Sequence, residues 1–421
     1  MDEHPVRLVV EDDLRRSRVT VFFRLLLAIP HFIWVFLWTV VVVLAAIANW
    51  VATLALGRPP DSLHRFMCAY IRYVTHLGAY LWLAANPYPG FVGEEGEYPV
   101  DVTLPPPASQ LRWKTLLRVL LALPSVFVVL TLGGLGAVRV PYRGTGGRLG
   151  ASLGGALAGI TAFLGWFASL ARGRMPKGLR DAGAYSIGYS AQVLAYLLLV
   201  TDRYPNADPT ALLESVERPP LHPVHLVGEA HDLRRSRVLV FFRLPLAIPH
   251  VVWLVLWAVA AVLVSILVWL ATLFTGRPPA ALHAFLSRYV RYSLHVYAFL
   301  YLVANPFPGF AGVRGSYPLD VELPGPERQN RWVTGFRFIL AVPALLVNSV
   351  LGWALGVTAV LTWFVALGTG SAPWGLRNLA AYAMRYAAQL NAYVFMLTDA
   401  YPHASPLEGA GEPQLSFDDA A

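Results

Sequence analysis

The chain has 421 residues, 56% of them hydrophobic and only 14% charged, with a mean hydropathy of +0.52. That balance excludes an ordinary soluble domain and indicates a multi-pass membrane protein. The net charge of +8 sits mostly on arginines near the ends of apolar runs, which reads as topology signal and headgroup contact rather than nucleic-acid binding; the single cysteine, Cys68, excludes an intramolecular disulfide and a cysteine-based metal cluster.

Met1-Asp-Glu-His-Pro5 lacks the basic start and short apolar core of a signal peptide, so the first apolar run is expected to stay in the membrane. Val6 to Val10 is a short β-prone run, followed by an acidic turn. Leu14 to Ile29 mixes Arg15, Arg16, Arg18 and Arg24 with Phe22, Phe23, Leu26 and Leu27, the pattern of a helix at the membrane interface. Pro30 should kink the chain. His31 to Leu56 follows, 26 residues or about 39 Å of helix, enough to cross a bilayer with tilt. After Gly57-Arg-Pro-Pro60 a second helix runs from about Ser62 to Ala85, where Asn86-Pro-Tyr-Pro-Gly90 stops it.

This order repeats. The spacing of Arg18, Arg24, Ala28 and Pro30 recurs at Arg112, Arg118, Ala122, Pro124, at Arg237, Arg243, Ala247, Pro249, and at Arg331, Arg337, Ala341, Pro343. Short strand-like runs at 98–104, 223–227 and 317–323 precede the later copies, as 6–10 precedes the first, and the four could pair into a small sheet. A constant step of 219 relates the halves, and between Asp13 and Trp34 18 of 22 positions match their counterparts, which marks an internal duplication. Tyr73, Tyr189, Tyr292 and Tyr386 align across the quarters, as do Asn86, Asp202, Asn305 and Asp399. The units are 1–97, 98–221, 222–316 and 317–403, with an acidic, disordered tail at 404–421. Pro124 and Gly173 enclose 22 residues more than Pro30 and Gly57 do. This insertion, near 132–153, contains the charged, glycine-rich stretch Arg139 to Arg148 and could add a crossing.

The set resembles a family of bacterial, largely actinobacterial, multi-pass membrane proteins known as a domain of unknown function. The residues that carry the likeness are Arg237 to Pro249, Thr275-Gly-Arg277, Thr201-Asp-Arg-Tyr-Pro205 and Thr398-Asp-Ala-Tyr-Pro402, and it covers most of residues 5–403. The resemblance implies a bacterial inner-membrane location and brings no activity, substrate or catalytic residue with it.

The expected fold is an all-α integral membrane protein: four related units in two tandem halves, about eight transmembrane helices, and interfacial helices and short strands at one membrane face. The second helices carry ionisable residues that are costly in lipid. Arg72 with His76 and Arg291 with His295 are i,i+4 pairs, and Gln192, Arg385 and Gln389 occupy matching places in the other units. These seven are candidates for a polar lining, or for hydrogen bonds between helices. Arg18, Arg24, Arg112, Arg118, Arg237, Arg243, Arg331 and Arg337 are candidates for headgroup binding by snorkelling. In a sharper version one arginine of each pair meets phosphate and the other pairs with Asp101 or Asp320. No catalytic signature, cofactor motif or metal-ligand cluster is present in the sequence. The reading is a non-catalytic lipid-binding or complex-organising module, with anionic membrane lipids as partners and homo-oligomerisation left open. Its alternatives are a transporter or lipid-translocating protein, and a membrane-embedded enzyme using His76 or His295.

Overall fold

The computed structural model describes residues 4–133, 156–214, 216–228 and 233–409. The stretch Arg139 to Arg148, most of the insertion around it and the tail from residue 410 lie outside the described residues. The chain divides into two compact units, Met1–Glu217 and Arg218–Ala421, and is mostly helical.

The first unit runs β1 (Arg7–Val10), α1 (Arg18–Leu27), α2 (Ile29–Leu56), α3 (Asp61–Leu81), β2 (Val100–Thr103), α4 (Arg112–Leu116), α5 (Arg118–Leu132), α6 (Leu157–Arg172), α7 (Lys177–Leu197), α8 (Pro209–Leu212) and β3 (Leu213–Glu214). The second runs β4 (His225–Val227), α9 (Arg237–Phe241), α10 (Arg243–Thr275), α11 (Ala280–Leu300), β5 (Asp320–Glu322), α12 (Arg331–Thr369) and α13 (Trp374–Val394). Three of these helices, α2, α10 and α12, are long and apolar enough to cross a membrane.

Local chemistry sets the boundaries. Each long helix ends on a glycine in the left-handed region, Gly57, Gly173, Gly276 or Gly370, with φ of 77°, 68°, 76° and 77°. Each second helix (α3, α7, α11, α13) starts directly after a proline, Pro60, Pro176, Pro279 or Pro373, whose missing N–H costs nothing there. Two residues beyond the end of each second helix stand Leu83, Leu199, Leu302 and Met396, non-glycine residues with φ of 60°, 62°, 63° and 55°.

The expected break at the motif proline is not where the chain breaks. Motif segment and long helix meet in a one-residue interruption at Ala28, Leu117 or Phe242, and in α12 they form one 39-residue helix through Pro343. Proline removes a single hydrogen bond, and burial of Arg337, Ala341, Ala344 and Val347 along one face carries the helix past it. The insertion falls inside the counterpart of this helix: 112–132 correspond to 331–351 and 157–172 to 354–369, so α4 to α6 are α12 cut near its middle.

The four strand-like runs all become strands, in two sheets rather than one. β1 pairs antiparallel with β2, and β3 adds a short parallel edge to β1; β4 pairs antiparallel with β5. The expectation that all motifs share one face is corrected within each unit. The Gln110 N–H donates to Gly57 O at 2.8 Å, which puts the second motif at the C-terminal end of α2, whereas the first motif is at its N-terminal end. Reciprocally, the Arg16 N–H meets Gly173 O at 2.9 Å, beyond the end of α6. In the second unit Gln329 N–H meets Gly276 O at 2.9 Å and Arg235 N–H meets Gly370 O at 2.7 Å. Adjacent repeats are therefore antiparallel, each closing the end of the other's long helix. A tryptophan near each such end repeats the exchange: Trp50, Trp166, Trp269 and Trp363 donate to the carbonyls of Thr115, Val21, Thr334 and Val240 at 2.8–3.1 Å.

The loops after α3 and α11 press onto those helices at glycines. A Cβ on Gly312 (φ 57°) would lie 2.3 Å from Arg288 O, and one on Gly93 (φ 72°) 2.3 Å from Ala69 O. Gly312→Ala is expected to cost about 2–3 kcal/mol, combining a strained φ with overpacking against a rigid helix backbone. Thermal unfolding of the purified protein in detergent reads it, and a melt matching the parent would refute the close approach.

Candidate functional site

The second arginine of every motif does one job in all four repeats. Arg24, Arg118, Arg243 and Arg337 are buried, and each guanidinium donates to carbonyls just past the C-terminal end of a second helix, where helices leave acceptors unpaired. Arg24 binds Tyr80 O, Ala85 O (3.1 Å) and Asn86 Oδ1 (3.4 Å). Arg118 binds Thr201 O (3.3 Å), Gln110 Oε1 and Asp202 Oδ1 (3.1 Å). Arg243 binds Phe299 O (2.8 Å), Ala304 O (3.4 Å) and Asn305 Oδ1 (3.2 Å). Arg337 binds Tyr393 O, Thr398 O (2.8 Å), Gln329 Oε1 (3.0 Å) and Asp399 Oδ1. Each also lies over an aromatic ring, Tyr80, Tyr196, Phe299 or Tyr393, 4.3–4.6 Å from the centroid. The Asn/Asp position that aligned across the quarters is thus this arginine's side-chain acceptor.

The first arginines stay at the exposed ends. Arg18, Arg112 and Arg237 donate to Ala171 O, Ala55 O and Gly368 O at 3.0–3.1 Å, and Arg331 lies beside Gly276. They complement the negative ends of the long helices and leave most of the guanidinium open. Two residues before each, a side chain that sequence reasoning missed completes the corner: Arg16 and Arg235 reach Leu83 O and Leu302 O, while Gln110 and Gln329 reach Leu199 O and Met396 O. Their common spacing from the motif was the available signal.

Within each unit the polar residues of the second helices are brought onto the strands and neighbouring loops. His76 Nε2 is 3.0 Å from Asp101 Oδ1 in β2, and Arg72 pairs with Glu95 at 2.6 Å and approaches Asp101 at 3.9 Å. In the second unit His295 Nε2 and Arg291 Nε both reach Asp320 Oδ1, at 3.1 and 3.0 Å. The carboxylates therefore serve the second helices and not the motif arginines, correcting the sharper version above. Gln192 donates to Val6 O (2.7 Å) and accepts from Asn206 N–H (2.9 Å); Gln389 donates to Val224 O (3.0 Å) and accepts from His403 N–H (2.9 Å). Arg385 holds Ser405 O and Leu407 O at 2.8 and 3.2 Å, so residues 404–409 are docked on α13. An open groove of about 370 Å³ in the second unit is apolar, lined by Pro249, Val252, Trp253, Leu256 and Phe310.

Asp101 and Asp320 are the electrostatic centres of this arrangement. Burial opposes their ionisation, but hydrogen bonds from the facing histidine and from two backbone N–H groups each, Gly96 and Val102 or Gly315 and Val321, outweigh it and hold both carboxyls below the usual range. His76 and His295 stack on Tyr98 and Tyr317 with centroids 5.0 Å apart, which fixes the ring planes. Among the described residues no group of three or more His, Cys, Asp or Glu side chains could hold a metal ion.

The family model for a domain of unknown function, DUF4389, matches residues 18–93, 151–207, 237–311 and 331–405. No curated protein and no solved structure matches the chain. Each match starts at, or in the second case falls after, an arginine motif and takes in a second helix with its arginine-bound C-terminal turn. With four matches that together cover more than half of its length, the chain belongs to the DUF4389 family.

Proposed function

We propose that this chain is a non-catalytic membrane module of four repeats, with about eight crossings, that organises lipid or a partner complex in the bacterial inner membrane. One observation carries the reading: the second motif arginines and the polar residues of the second helices are bonded within the fold itself, while the outward surface of the long helices is apolar. Between Phe32 and Val51 the strongly exposed side chains of α2 are almost all apolar, among them Phe36, Leu44 and Ile47, and α10 repeats this with Val255, Leu263 and Ile266. Such a surface is satisfied by hydrocarbon and not by water. Arg72, Arg291 and Arg385 are held by Glu95, by Asp320 and by carbonyls of 405–407, which weighs against the transporter alternative. The inner-membrane location follows from the resemblance above.

A second reading of the embedding rests on the strand side of each unit. The exposed charges Glu94, Glu95, Glu97 and Arg314 lie in the loops that lead into β2 and β5, and the motif segments lengthen each apolar helix to 39 residues, about 58 Å, well beyond a hydrocarbon core of about 30 Å. Helices lying along one leaflet would accommodate both features. Impermeant thiol labelling of Asp13→Cys, Lys177→Cys, Arg58→Cys and Lys114→Cys in a Cys68→Ser background separates the two. Crossing helices predict that the first pair labels from one membrane face and the second pair from the other. Labelling of all four from the same face supports the in-leaflet arrangement and ends the eight-crossing one. For the module itself, crosslinking and lipid analysis of the purified protein should recover a selective lipid or a partner; recovery of neither, with substrate-dependent flux in proteoliposomes, would overturn it.

A further inference from the structure

At one end of the first unit the backbone brings together two pairs of arginines that are distant from each other in sequence, Arg15 with Arg18 and Arg172 with Arg174. Arg15 and Arg174 face each other across an antiparallel bridge, Arg18 Nη2 donates to Ala171 O at 3.1 Å, and Arg172 is the last residue of α6. All four side chains are exposed. The nearby acids do not neutralise them: Asp12 is taken by buried Arg16 at 2.7 Å, and Asp13 stands 4.0 Å from Arg15 in open solvent. Directly along α1 and α6 from this cluster is an aromatic ledge. Phe22 stacks on Trp166 at 6.5 Å and Trp166 meets Phe167 edge-on at 4.9 Å, with Phe22 and Phe167 both exposed.

Resting on the membrane embedding proposed above, we infer that Arg15, Arg18, Arg172 and Arg174 bind the phosphate of an anionic phospholipid. Four exposed cations at one end of the unit repel one another, and an anion bound among them turns that repulsion into attraction. Charge above an exposed aromatic ledge matches the order of a lipid at the interface, with the headgroup on the arginines and the acyl chains below.

The chain contains its own control. In the second unit the same corner is closed by Arg234 and Arg237, but Thr369 and Ser371 stand where Arg172 and Arg174 do. The backbone is unchanged: Arg234 bridges Ser371, and Arg237 Nη2 donates to Gly368 O at 3.0 Å. Closing the corner therefore does not need Arg172 or Arg174, nor does the pull of a helix C-terminus on cations account for Arg174, which lies beyond it.

The test is native mass spectrometry of the full chain in detergent with equimolar phosphatidylglycerol and phosphatidylcholine, comparing the parent, the double variant Arg172→Thr/Arg174→Ser, and Arg277→Thr as a remote charge control. The parent should retain phosphatidylglycerol selectively. The double variant should lose about tenfold of that retention, with the control unchanged. Equal retention in parent and double variant overturns the site. Loss of lipid selectivity with displacement by inorganic phosphate makes it a free-anion site and overturns the lipid assignment. Resistance of the chain to carbonate extraction is read separately, so failure of the membrane reading is distinguishable from failure of this site. Because the replacements are those the second unit already uses, an unchanged melting temperature is expected.

Discussion

Arg337→Ala is expected to destabilise the second unit by about 3–5 kcal/mol, the range for removing one partner of a buried charged network. The side chain is fully buried, and its loss removes a charged donor from four acceptors at once: Tyr393 O, Thr398 O, Gln329 Oε1 and the Asp399 carboxylate, of which Tyr393 O keeps the Met396 N–H and Asp399 keeps the Asn330 N–H. The Tyr393 ring loses its cation as well. For a unit of this size the melting temperature in detergent should fall by about 10 °C. Arg337→Lys should recover little, because an ammonium has no planar fork to join a helix end, a glutamine and a carboxylate. Arg243→Ala should behave similarly, though less severely, since Asn305 takes the place of Asp399 and leaves no orphaned charge. A melt within 2 °C of the parent, an order-of-magnitude threshold on the same scale, would show that the arginine is only an interfacial anchor.

That role explains how much of the molecule could be read from its residues. The repeat was legible because the motif positions have non-negotiable jobs: arginine caps a helix, alanine lets it approach, and tyrosine or phenylalanine receives its face. The strand runs were legible by their alternation. What could not be read was direction. A run such as Thr103-Leu-Pro-Pro-Pro-Ala-Ser-Gln110 is only a polar-flanked linker in sequence, yet its extended length carries the second motif to the far end of α2 and inverts the repeat. Long-range pairing of that kind leaves no local periodicity. The polar second helices were recognised as unusual for lipid, and their residues were identified individually. Their hydrogen-bond partners lie 14 to 186 positions away, in loops and strands, so neither Gln192 on Val6 nor His295 on Asp320 could be assigned from spacing.

The same reasoning makes Asp320 the second most sensitive position. Its carboxylate is nearly buried and serves His295, Arg291, Gly315 N–H and Val321 N–H together, so Asp320→Ala leaves the Arg291 guanidinium buried without its carboxylate, beside Val321 O of β5. A cost of about 3–5 kcal/mol is expected. Asp320→Asn should cost less, because an amide oxygen still accepts one of the backbone donors. Asp101→Ala should also cost less, since Arg72 keeps Glu95 and the site is more open to water. Protonation performs the same deletion reversibly. The folded-state carboxyl titrates below its ordinary value, so its contribution is fully present above about pH 4 and is lost as pH falls through the lowered folded-state value. Melting temperature in detergent should therefore be flat from pH 7 to about 5 with respect to this group and decline steeply below about 4. In Asp320→Asn the decline should be shallower, leaving Asp101 to supply what remains. An acid limb of equal steepness in parent and variant would mean that Asp320 is not the carboxylate holding β5 to α11.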